Sequence, residues 1–318
     1  MHSIYVATRP VPSADSGREK GPVGQRREDV AVLDRYLAGR YGVSEQAVQE
    51  FEPGGGVFRV AGPDLVVRVF PAHRPLDAAQ HDARVLELLE TEDLPAERLA
   101  SDEPVWALED GRPALVTRFV PGRQCRGVGD PDLLSTVADI LGRVHALPVP
   151  SDLRPGGGWH LASADVGTRA DDVAALMPKI TDDRLRDALQ AIDTGDGLPE
   201  SLVHPDPSGA NVIADPGADP ILIDWTGSGR GPRLLSFAVL LGTALDHPQL
   251  APQIMEAYAR HVDLTDVEVE RLPGVLSGFP LLVGAWMHAT WRASAEQVLE
   301  QHGQRHLAAD ALVGGLAR

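Results

Sequence analysis

Residues 202–225 read LVHPDPSGANVIADPGADPILIDW. Two short apolar runs, Val212-Ile213-Ala214 and Ile221-Leu222-Ile223, flank Asp215-Pro216-Gly217-Ala218-Asp219-Pro220. Proline presets φ, glycine tolerates positive φ and aspartate bonds its own backbone, so the stretch predicts a hairpin with a six-residue loop. Symmetric pairing puts Val212 opposite Ile223 and, one step outward, Asn211 opposite Asp224. Directly opposed residues of an antiparallel pair lie about 4.5–5.5 Å apart on one face. The open end of the hairpin then presents an amide oxygen beside a carboxylate. Magnesium takes oxygen ligands of this kind, usually one or two from protein and the rest from water and phosphates. A second carboxylate, Asp206, enters the same loop five residues before Asn211. Any one of these residues is also an ordinary turn or capping residue; the joint spacing is what outlines a site for phosphate chemistry.

Composition sets bounds around this stretch. A chain of 318 residues fits two lobes, or one domain with a cleft. Its 46 acidic against 29 basic residues give a formal charge of −17. Such a chain repels nucleic acid and anionic membranes unless basic residues cluster, and it attracts cationic small molecules. The single cysteine, Cys125, excludes an internal disulfide and a cysteine-based zinc cluster. With no run near the roughly 18 apolar residues of a membrane span and no secretory signal at the start, the expectation is a cytoplasmic protein.

Residues 1–28 are rich in proline, glycine, serine and charge, and predict a flexible tail. Val30, Leu33, Leu37 and Tyr41 then recur at helical spacing, as do Ala79, Ala83, Leu86 and Leu89 within Leu76 to Leu89. Val57 to Val60, Leu65 to Phe70 and Ala114 to Phe119 read as strands. After Val120-Pro121-Gly122 the character turns helical: Leu133 to Leu147 forms one broad apolar stripe, and Leu234 to Leu245 and Pro280 to Trp291 read as helices, the last apolar enough to be buried. The reading is a small sheet lobe over 29–119 and a helical lobe over 120–318, with the cleft between lobes as the default ligand site.

The pattern His204-x-Asp206, four residues, Asn211, hairpin, Asp224-Trp225 resembles the catalytic loop of the aminoglycoside phosphotransferase and choline kinase group, relatives of the protein kinases. The resemblance covers about residues 45 to 245 and implies an α+β fold with two lobes, a small antiparallel-sheet N-lobe and a larger, mainly helical C-lobe. It implies ATP or GTP as phosphoryl donor and Mg2+ held by Asn211 and Asp224. Asp206 would accept the proton of an attacking hydroxyl, and His204 would brace the loop. In the N-lobe it implies that Gly54, Gly55 and Gly56 belong to the nucleotide-covering loop and that Arg68 reaches the phosphates. Burying a guanidinium in the apolar strand Leu65-Val66-Val67-Arg68-Val69-Phe70 itself calls for an anionic partner. The resemblance offers Asp82, or else Glu87, for that role. Main-chain groups around Thr117 to Phe119 would read the adenine.

The chain also departs from the group's pattern. Pro205 and Pro207 flank Asp206 and disfavour helical geometry at His204 and Asp206. Val57 follows the glycines where small polar residues are usual, and Ser236 stands where the group carries an aspartate supporting the loop. The acceptor implied is a hydroxylated small molecule, a cationic antibiotic such as an aminoglycoside being favoured by the charge. The alternative is a kinase-like protein that binds nucleotide or a partner without turnover.

Overall fold

The computed structural model describes residues 22–43, 48–51, 56–125, 131–159, 167–215 and 217–316. By contact the chain divides into two units. One comprises residues up to Ala83 together with Glu97–Val120, the other Arg84–Ala96 together with Pro121–Arg318.

The first unit is built on a five-stranded antiparallel sheet. Its strands are β1 (Val48–Glu50), β2 (Val57–Val60), β3 (Leu65–Val69), β4 (Val105–Ala107) and β5 (Pro113–Arg118), in the order β1-β2-β3-β5-β4. Helix α1 (Pro22–Tyr41) precedes the sheet, and α2 (Leu76–Thr91) follows β3 and runs on into the second unit. Alternation decides which strand face is covered. In β3, Leu65, Val67 and Val69 are buried while Val66 and Arg68 are half-buried on the other face. Leu33 and Leu37 of α1 are fully buried in the same core as Phe58, Val60, Val67 and Val116. Each such leucine contributes roughly 1.5–3 kcal/mol by leaving water. Tyr36 stacks on Trp106 with ring centroids 4.0 Å apart, which fixes α1 against the β4 edge.

Two expectations change here. Helix α1 begins at Pro22 rather than Val30, because apolar spacing registers only the buried stripe and the preceding turns are polar. The part of the expected tail before residue 22 lies outside the described residues. Strands β1 and β4, three residues each, are too short for alternation to announce them.

The second unit is mainly helical. It contains β6 (Arg123–Gln124), α3 (Pro131–His145), α4 (Arg169–Leu176), α5 (Asp183–Gln190), β7 (Glu200–Val203), β8 (Val212–Ala214), β9 (Ile221–Leu222), β10 (Gly229–Pro232), α6 (Arg233–Leu241), α7 (Ala251–Ala259), α8 (Asp266–Ala289) and α9 (Ala295–Leu316). The apolar stripe of α3 is buried at Leu134, Val137, Ile140, Leu141 and Val144, as its spacing requires. Strands β7 and β10 pair with each other, and β6, β8 and β9 form a second small sheet. These short strands carry the loops of interest.

Helix α8 begins much earlier than Pro280. Thr265 caps it by accepting from the Glu268 N–H, while the Glu268 carboxylate receives the Thr265 N–H, a capping box the apolar pattern does not reveal. Glu268 is fully buried and held by Arg233 of α6 through Nε at 2.8 Å and Nη2 at 2.7 Å. Among the described residues α8 is the one helix long and apolar enough to cross a membrane by length and composition. It packs against α9 and α6, with Leu281, Leu282 and Ala285 buried. It stops at Ala289. Trp291, expected at its buried end, is instead 94% exposed in a left-handed conformation.

Candidate active site

The loop after β7 is organised by His204, which is fully buried. Its Nδ1 accepts the Asp206 N–H at 3.0 Å. The proton therefore sits on Nε2, which donates to the Ile223 carbonyl at 3.1 Å. A neutral imidazole thus ties the loop to the residue just beyond β9. The Trp225 ring meets the imidazole edge-on at 4.6 Å, and its indole N–H donates to the Leu222 carbonyl at 2.9 Å. Pro205 and Pro207 are compatible with this geometry because neither removes a donor that it uses. The geometry supports the bracing role expected of His204.

Ser236 accounts for the missing aspartate. Its hydroxyl, on α6, accepts the His204 N–H at 2.9 Å and donates to the His204 carbonyl. One buried side chain satisfies both main-chain groups of the loop's central residue. Removing it by Ser236→Ala leaves two buried polar groups unmet, at about 1–3 kcal/mol each. The expected outcome is a lower melting temperature and weaker turnover, with Ser236→Thr, which keeps the hydroxyl, close to the parent in both.

Asp206 is half-buried. Burial pushes its carboxyl up to about 6; hydrogen bonds from Ser208 and Asn211 pull it down, and the charge of Asp224 pushes it further up. Asn211 directs its amide nitrogen at Asp206, reaching the main-chain oxygen at 2.9 Å and Oδ2 at 3.1 Å. The Asn211 amide oxygen is then the group remaining for another ligand. Asp224 lies close enough to Asp206 for its charge to be felt there, so the structure brings together all three residues of the loop and hairpin.

The hairpin register differs from the symmetric one. Val212 opposes Leu222 and Ile213 opposes Ile221. Asn211 therefore faces Ile223, whose N–H donates to the Asn211 carbonyl at 2.8 Å, and not Asp224. Asp224 reaches the site by another route, with φ at +65°, in the left-handed region that aspartate tolerates better than most residues. Pro216 of the turn lies outside the described residues.

This donor set fits magnesium. An amide oxygen and a carboxylate are hard ligands, and two neighbouring carboxylates, Asp206 and Asp224, favour a cation near them. Among the described residues no group of three or more His, Cys, Asp or Glu could hold a metal.

In the first unit, Arg68 sits on β3 between Val57 and Leu115. Asp82 is almost completely buried, and Glu87 is exposed. Asp82 is paired with Arg74 at 2.6 Å, and Arg74 is itself buried and lies over the Phe70 ring. Arg74 was not anticipated: it falls in a turn, where an arginine normally reads as solvated. Gly56 has φ +67°, and a Cβ there would meet the Val69 carbonyl oxygen at 2.6 Å, so only glycine fits. Gly54 and Gly55 lie outside the described residues. Thr117 is buried, with its hydroxyl 3.2 Å from Glu97. The Arg118 and Phe119 N–H groups donate to Arg98 and Asp64 at 2.7 Å each, so neither is the donor that would meet a base.

The fold and this site together define a kinase-like α+β protein: an antiparallel five-stranded sheet in one unit, and in the other a helical body carrying a His-x-Asp loop and an Asn–hairpin–Asp. The chain matches the phosphotransferase enzyme family (APH) over residues 56–272 and belongs to it. A comparison with curated proteins finds no match. Among solved structures, it is similar to the amicoumacin kinase hAmiN in complex with AMP-PNP, Ca2+ and Ami (TM-score 0.62, 15% identity, 90% of this chain and 96% of that one). It is likewise similar to choline kinase LicA from Streptococcus pneumoniae (0.58, 13%, 91% and 99%). A third is aminoglycoside phosphotransferase APH(3'')-Id from Streptomyces rimosus, in complex with ADP and streptomycin (0.54, 21%, 79% and 98%). At these identities the likeness is one of fold.

Proposed function

We propose that this phosphotransferase moves the γ-phosphoryl group of ATP to a hydroxyl of a small molecule, with Asp206 as the group that receives the hydroxyl proton. The observation that carries the reading is the state of Asp206. It is fixed through its N–H by His204 and through its carboxyl by Asn211, and its carboxyl is pushed up to about 6. A base whose pKa lies near the operating pH is both ionised and competent to accept a proton.

Phosphoryl transfer asks a protein mainly for positioning and for charge cancellation. Asn211 and Asp224 would hold magnesium, which supplies charge neutralisation on the phosphates when bound. Arg68 would add a fixed cation, with Gly56 admitting close backbone approach at the start of β2. His204 and Ser236 keep Asp206 in place without touching substrate. ATP is favoured as donor by the AMP-PNP and ADP bound in the similar structures. The acceptor pocket must be argued from its own site rather than from the fold.

Thermal melts of the full chain with ATP, with GTP and with each plus magnesium test the reading. A ligand at a hundredfold excess over its Kd stabilises by about 2.7 kcal/mol. The expected result is a shift with ATP that needs magnesium, together with magnesium-dependent ADP release in a screen of hydroxylated compounds. Identical melting in every condition refutes a nucleotide site.

A further inference from the structure

The second unit holds a buried cation that the proposed chemistry does not use. Arg169, at the first position of α4, is 1% exposed. Its Nε and Nη1 are buried without a hydrogen-bond partner among the described residues. The two carboxylates whose charge it feels are Asp172 and Asp193. Asp172 accepts the Trp159 main-chain N–H, and Asp193 is held by Arg271 through Nε and Nη2 and by the Gly195 N–H. Burial lowers the Arg169 pKa to about 10, which still leaves it charged at neutral pH. A fixed planar cation with unmade hydrogen bonds is costly unless something completes it.

Its surroundings lead to the catalytic loop. The Arg169 guanidinium carbon lies 5.6 Å from the centre of the Phe279 ring. Phe279 meets Trp159 at 4.3 Å, edge to face. The Trp159 indole N–H donates at 2.6 Å to the carbonyl of Pro205, the residue before Asp206. Arginine, two aromatic rings and the loop that carries the proposed base form one contiguous path.

Resting on the phosphotransferase reading above, we infer that Arg169 and the Trp159–Phe279 pair form an acceptor subsite for a carboxylate, so that the phosphorylated hydroxyl belongs to a hydroxy acid. A carboxylate matches the guanidinium fork with two parallel hydrogen bonds, which a hydroxyl or an ammonium cannot do. The adjoining rings offer apolar faces to the body of the same molecule. The chain's −17 charge is no obstacle, since an acceptor that also carries an amino group answers the overall field and the local cation at once.

The test uses aliphatic and aryl hydroxy acids matched with their uncharged amides, read as kcat/KM for ADP release and as thermal shift in the presence of magnesium-ATP. Inorganic phosphate and sulfate are added separately to distinguish a general anion site. The expected result is at least one acid preferred over its amide by tenfold or more. That preference should collapse in Arg169→Gln while the magnesium-ATP shift is retained. Should Arg169→Gln not fold, Arg169→Lys keeps the charge and loses the fork, and is expected to lose most of the preference. A protein that binds magnesium-ATP but treats every acid and amide alike overturns the carboxylate subsite and leaves the kinase reading standing. A variant that slows all acceptors equally and only lowers the melting temperature shows Arg169 to be a structural cation, which also overturns it. Loss of the magnesium-ATP shift in the parent protein defeats the underlying reading instead.

Discussion

Asp206→Asn is expected to slow phosphoryl transfer by roughly a hundred- to ten-thousandfold and, at pH 7.5, to make the protein more stable. The first effect follows from removing the proposed proton acceptor while keeping its size. The second follows from the carboxyl's pKa of about 6, raised above an unfolded value near 3.9. A raised carboxyl pKa means that the folded state holds the proton more tightly than the unfolded one. Its contribution to stability is therefore fully present below about pH 4 and is lost as pH rises through about 6. Two units correspond to at most about 3 kcal/mol, and the solvent contact that Asp206 keeps reduces the figure. Melts of parent and variant at pH 4 and 7.5 check the sign: the gain should appear at 7.5 and vanish at 4. The parent's kcat/KM should fall on the acid side of about pH 6. Bound magnesium should move that limb lower by neutralising Asp224, whose charge helps to raise Asp206. A variant with full turnover on a genuine acceptor would remove Asp206 from the role, whatever its stability.

The parts of this site that were legible in the sequence are those fixed by local spacing. His204, Asp206, Asn211 and Asp224 are drawn together by one loop and one hairpin, and a short connection leaves the chain few other places to put them. The hairpin register was not legible. Its strands are three and two residues long, so no run of alternating side chains resists a one-residue slip. Ser236 shows the other limit. The absence of the expected aspartate could be read, but only the geometry shows a hydroxyl bonding both main-chain groups of His204.

The same contrast holds across the fold. Strands β2 and β3 and the buried stripes of α1 and α3 follow from periodicity, because burial of one face imposes it, whereas β5, buried on both faces, reads as a short continuous apolar run. The start of α8 does not, since it is set by a Thr265–Glu268 capping box and a buried Arg233 pair, which are polar devices inside a segment read for its apolar content. Arg74 is the sharpest case. A turn arginine eight residues before Asp82 carries no signal, yet the two are buried together at 2.6 Å. Long-range charge pairing leaves no period to read.

Asp224 separates metal binding from backbone tolerance, and its substitutions should split accordingly. At φ +65° most side chains strain the backbone by roughly 1–2 kcal/mol, while asparagine and aspartate relieve part of this through local hydrogen bonds. Asp224→Asn is therefore expected to fold with little change in melting temperature, whereas Asp224→Ala should lose about 1 kcal/mol. Both remove the carboxylate proposed to hold the metal. Changes in residues that merely orient metal ligands commonly cost about 10- to 100-fold in metal affinity, so loss of a ligand itself should cost no less. The magnesium-dependent part of the ATP shift should disappear in both variants, and turnover with it. Each should also lower the Asp206 pKa, because the neighbouring negative charge is gone. Asp206→Asn, by contrast, should keep the magnesium-dependent shift and lose only turnover. If Asp224→Asn retained both stability and full magnesium-dependent ATP affinity, the carboxylate would not be a metal ligand. Its left-handed backbone would then serve to place Trp225 beneath His204 rather than to present an anion to phosphate.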